Sequence, residues 1–122
     1  MAKKDLVDII DEIRDHDDRY RREAYLFIMQ SLHEVVRSLS QPRHVSGQEL
    51  LGAVIEMAHQ EFGPLAHTVF QEWGLKEGRD VGQVVFSLVE AGVLGKEPAD
   101  NIADFEGGID LETELQKGSG TG

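Results

Sequence analysis

Glu56-Met57-Ala58-His59 sets a carboxylate and an imidazole three residues apart, which lays both side chains on one face of a helix. Histidine is the commonest metal ligand, and di-iron bundles use two such E-x-x-H motifs with two further glutamates. His67 lies across the Gly63-Pro64 turn from His59 and completes the candidate set. A second copy is missing, because neither His16 nor His33 has a glutamate three residues before it. Glu56, His59 and His67 are therefore weak metal candidates, and no metal or other cofactor is expected.

Two stretches concentrate cations. Arg14, Arg19, Arg21 and Arg22 bracket Tyr20, a grouping that suits an acidic partner or an RNA backbone with a stacking ring. Asp15, Asp17, Asp18 and Glu23 are interleaved with them, so internal pairing is the competing reading. Arg43-His44 precedes a helix start, where free backbone N–H groups attract anions and Gly47 would let one approach. Ser46 and Glu49 compete for those same donors. Arg19, Arg21, Arg22, Arg43 and His44 are the candidate contacts to an anion or partner.

Catalytic motifs are missing. The chain has no Gly-x-Ser-x-Gly elbow, P-loop or dinucleotide glycine fingerprint. It has no cysteine, which removes disulfides, thiolate metal sites and cysteine nucleophiles. An enzyme is not expected.

The elements that would carry these residues read as helices. Leu6, Ile9, Ile10 and Ile13 give a short amphipathic helix over 5–15, and Asp15-His16-Asp17-Asp18 breaks it. Asp17 or Asp18 then caps a long helix from about Arg19 to Leu39, striped by Tyr25, Ile28, Leu32 and Val35 and stopped before Pro42. Ser46 and Glu49 form a capping box, with Val45 and Leu50 as a hydrophobic staple, and open a helix over 46–62. Gly63 closes it and Pro64 opens the next, which ends at Gly74. Phe70 and Trp73 on that helix read as core, with an outward partner anchor as the alternative for Trp73. Asp80 with Gln83 predicts the cap of a fifth helix, striped by Val81, Val84, Val85 and Leu88 and ended by Gly92; its many valines leave a strand open. Gly95-Lys96-Glu97-Pro98 reads as a turn and 102–106 as a short strand. Leu111 and Leu115 anchor a last helical turn, and Lys117–Gly122 read as a disordered tail.

The fold class is mainly α: about five helices in a compact bundle, in one domain over 1–116, with 1–16 as a semi-independent N-terminal helix. A chain of 122 residues supports such a core. The net charge of −11 is uneven. Residues 1–46 hold 8 Lys/Arg against 9 Asp/Glu, whereas 47–122 hold 4 against 14. The second half repels polyanions and suits a basic partner surface. Apolar runs fall short of a membrane span, and no apolar signal segment follows Lys3-Lys4, so the expected compartment is the cytoplasm.

Arg43–Leu50, Glu61-Phe62-Gly63-Pro64, Glu72-Trp73-Gly74 and Leu88–Leu94 occur in an order that resembles a small bacterial protein family carrying the Minf label. The resemblance covers about two-thirds of the chain, from Arg21 to Phe105. It implies a bacterial protein but no activity, so no functional residue transfers. The helix order 46–62, 64–73, 80–91 also resembles a winged-helix arrangement, with 80–91 as recognition helix and 93–106 as a β-hairpin wing. That helix offers Gln83 and Ser87 but no cation between Val81 and Leu94, which makes it a poor DNA reader.

The expected function is a non-enzymatic protein-interaction or regulatory module that docks a basic protein surface, with homodimerisation through the long helix as a further possibility. A winged-helix-like nucleic-acid-binding protein is the alternative, and a metal-binding helical protein the second. Nucleic acid is the less expected partner, and no membrane association is expected.

Overall fold

The computed structural model describes residues 5–94 and 102–120 and contains only helices and turns within them. The α-helices are α1 (Leu6–His16), α2 (Arg22–Ser38), α3 (Gly47–Phe62), α4 (Ala66–Trp73), α5 (Gly78–Glu90) and α6 (Leu111–Gly120). Two 3-10 turns, Gly63–Leu65 and Ile102–Phe105, join the set.

α2 is the hub. Its stripe of Ala24, Tyr25, Phe27, Ile28 and Leu32 is buried, and it packs against α1, α3, α4 and α5. The core runs from Ile10 to Leu115 and takes residues from all six helices. Phe27, Phe62, Phe70 and Trp73 form an aromatic cluster with ring centroids 5.5–5.6 Å apart. Trp73 is thus half-buried against the core, on the side its spacing from Phe70 predicts.

The Ser46 box is present: Glu49 N donates to Ser46 Oγ at 3.1 Å, and Ser46 N donates to Glu49 Oε1 at 3.0 Å. Gly63, Gly74 and Gly92 end α3, α4 and α5 with positive φ, and Pro64 lies within the 3-10 turn. At Gly74 a Cβ would also collide with the Arg19 carbonyl, so the turn needs glycine twice over.

Four boundaries differ from the sequence reading. α2 starts at Arg22, not Arg19, with Arg21 and not Asp17 or Asp18 at its N-cap. The cause is Tyr20, which turns into the core at 2% exposure and keeps the preceding residues out of the helix. Glu77, not Asp80, caps α5, and Asp80 is the reciprocal partner at the third position. The 102–106 strand is a 3-10 turn, whose three-residue period sets Ile102 and Phe105 on one face. Among the described residues there is no β-hairpin, and the Gly95–Pro98 turn lies outside them. Finally, helix continues past Lys117 to Gly120, anchored by Leu111 and Leu115 at 1% exposure. The rest of that expected tail, Thr121-Gly122, lies outside the described residues.

The segment before α6 is tied down by Gln48. Its Nε2 donates to the carbonyls of Asp104 and Gly107, both at 3.1 Å, and its Oε1 accepts from Ile109 N at 3.0 Å. Phe105 lies on Gly78 and Gly82 of α5, where any Cβ would meet it. We call 102–109 the strap.

Candidate functional site

α1 and α5 present facing walls that do not close. Ile9, Glu12, Ile13 and His16, one helical face of α1, oppose Gln83, Phe86, Ser87, Glu90 and Ala91 of α5. Asp17 and Arg19 line the same groove, whose volume is about 710 Å³. The core stripe of α5 is Val81, Val84, Val85 and Leu88, all buried. Phe86 falls off that stripe and is 45% exposed. On α1 the inward anchor is Ile10, which is fully buried and leaves Ile9 and Ile13 half-buried toward the groove.

A network at the α1–α2 junction fixes this geometry. Arg14 Nε donates to the Tyr20 carbonyl at 2.8 Å, and Arg22 pairs with Asp11 at 3.0 Å. Tyr20 OH donates to Asp80 Oδ1 at 2.7 Å, and Asp80 Oδ2 accepts the backbone N–H groups of Lys76 and Glu77. Burial first, then the hydrogen bond to Asp80, pushes the Tyr20 phenol well above its ordinary value. Arg19 stacks 5.4 Å from the Tyr20 ring centroid and pairs with Asp17 at 2.6 Å, and its hydrogen bond holds the Asp17 carboxyl below the usual range.

The cationic candidates are mostly engaged within the chain. Arg14, Arg19 and Arg22 are engaged internally, with Asp11 and Asp17 as the acids used, and Arg21 reaches Glu72 at 4.0 Å between two exposed side chains. Arg43 binds both carboxylate oxygens of Glu49, at 3.0 and 2.7 Å, while His44 is exposed. Gly47 meets the Asp104 carbonyl, so the strap uses the close approach that the glycine permits. At this helix start the Glu49 N–H and the Arg43 guanidinium are already matched by acceptors of this chain.

The metal candidates go to α6. Glu56 and His59 share a groove of about 620 Å³ with Gly52, Ile55, Ile109, Glu114 and Lys117. His59 Nε2 donates to the Glu114 carbonyl at 3.0 Å, and His67 Nε2 stands 3.8 Å from Glu112 Oε1. His59 Nδ1 and His67 Nε2 are buried without a hydrogen-bond partner. Among the described residues no group of three or more His, Asp or Glu converges on a point where an ion could sit. Nor is any helix among them long and apolar enough to cross a membrane.

Ile9, Ile13 and Phe86 escaped the sequence reading as site residues. A signal was present for Phe86, because the Val81–Leu88 stripe leaves it on the opposite face. No protein family, curated protein or solved structure matches the chain.

Proposed function

We propose that this chain is a non-enzymatic interaction or regulatory module that docks a basic surface of another protein in the cytoplasm. The observation that supports it most is the internal closure of the arginines. Arg19, Arg22 and Arg43 are each paired with an acid of this chain, so little positive charge is left to neutralise a phosphate backbone. Among the described residues of 47–122 no Asp or Glu is buried. Charge complementarity of this kind chiefly raises association rate and specificity. Kinship with the Minf family, proposed on Arg43–Leu50 and the three later motifs, adds no activity.

The test is affinity capture with the full chain at low and at high salt, alongside gel shifts with duplex DNA and structured RNA. A protein recovered at low salt and lost at high salt is the expected outcome. Micromolar nucleic-acid binding that disappears in the double variant Arg21→Ala/Arg22→Ala would establish the winged-helix-like alternative instead.

A further inference from the structure

The α1–α5 groove has the surface chemistry of a helix receptor. Ile9 and Ile13 stand one turn apart on one wall, and Phe86 faces them from the other. Together with the half-buried Ile9 and Ile13, the exposed Phe86 gives the groove a shared apolar lining. Both walls are α-helices whose backbone groups are satisfied internally, so no sheet edge is available to an extended peptide. A helix brings its own satisfied backbone and so suits these walls. The charge around the groove selects its sign. Glu12 on the α1 wall and Glu90 on the α5 wall line it, and the Arg19 charge at the groove end is matched by Asp17.

We propose that the groove between α1 and α5 receives an amphipathic, basic helix of a partner protein, with its apolar side chains on Ile9, Ile13 and Phe86 and its lysines or arginines beside Glu90 and the acids of α1. This deepens the reading above and rests on it. Phe86 is the anchor, and Gln83, Ser87 and His16 supply adaptable polar contacts along the rim.

A synthetic 18-residue Leu/Lys amphipathic helix is the probe, titrated into the isotopically labelled full chain at low salt and followed by NMR. Its control has the same composition with the leucines spread over every face. Saturable shifts confined to α1 and α5 are expected, with the control weaker and Phe86→Glu weakening binding about tenfold or more, as for a central anchor. Phe86→Ala, which adds no charge, should weaken it in the same direction. Because Phe86 is exposed, both variants should keep the wild-type circular dichroism, and the comparison then reports binding alone. Equal binding by both peptides, or indifference to Phe86→Glu, would overturn the groove while leaving the basic-partner reading intact. So would shifts centred on the α2–α3 face around Val35 and Met57. A concentration-dependent dimer that protects Phe86 would make a second copy the occupant and overturn it too. No binding of either peptide at low salt would sink both readings together.

Discussion

A phenol hydrogen-bonded to a carboxylate across 60 residues of chain is the tightest long-range polar contact at the groove's end. Tyr20→Phe removes that bond and leaves Asp80 with its two backbone donors. The expected loss is about 1–3 kcal/mol in denaturant unfolding, since the acceptor is charged. Its pH signature is specific. Tyr20 and Tyr25 both titrate above the ordinary tyrosine value in the folded chain, chiefly because they are buried. A folded value above the unfolded one gives stability that is complete below about pH 10 and drains as pH rises toward the folded value. Tyr20→Phe should therefore show a shallower alkaline loss than the parent. Glu49 has the opposite sign. Hydrogen bonds from Arg43 first, then from the Ser46 N–H, hold its carboxyl down to about 2, so its contribution is present above about pH 4.5 and fades as pH falls toward 2. Glu49→Gln should flatten that acid limb, and a carboxyl NMR titration should find Glu49 still ionised at pH 3. At this scale the Ser46–Glu49 box was legible, since both partners lie within one turn. Tyr20–Asp80 was not, because a pairing so distant in sequence leaves no local pattern and Asp80 already had a local role to play.

Elements were legible where their apolar period was long. α2, α3 and α5 follow their stripes, and the glycine stops of α3, α4 and α5 fall where the spacing put them. The strap failed that test because its register is dictated by its seat. Asp104 and Phe105 lie against Gly47, Gly78 and Gly82, three positions where only hydrogen leaves room. This gives a paired expectation. Gly78→Ala should destabilise by about 1–3 kcal/mol, because the new Cβ must push the Phe105 backbone away. Gly52→Ala, in mid-α3 with nothing within 4 Å of its Cβ, should stabilise by about 0.5–1 kcal/mol through helix propensity. Thermal melts of the two variants suffice, and equal shifts would show that the strap is not seated as described. α6 was underread because the weak helix formers after Lys117 hid a helix that Leu111 and Leu115 secure from its other end. Tertiary burial outweighed local propensity there.

Over the whole molecule, −11 charges on 122 residues make self-repulsion a general term. Raising the ionic strength from near zero to physiological should raise the melting temperature, even though it weakens exposed pairs such as Arg22–Asp11. A fall would mean that these pairs outweigh the general repulsion. The sequence made the acidic excess plain, but the groove depends on how α1 lies relative to α5, which periodicity within either helix does not encode. Ile10 and the Arg14 and Arg22 bonds set that angle through α2.

Leu111 and Leu115 sit in the same core as Ile10. α2 to α5 are made before the strap and α6 that pack on them. Until they arrive, the Gly78–Gly82 surface that seats Phe105 is uncovered. A chain whose strap and α6 have not yet packed therefore carries an uncovered apolar seam along α5 and α3.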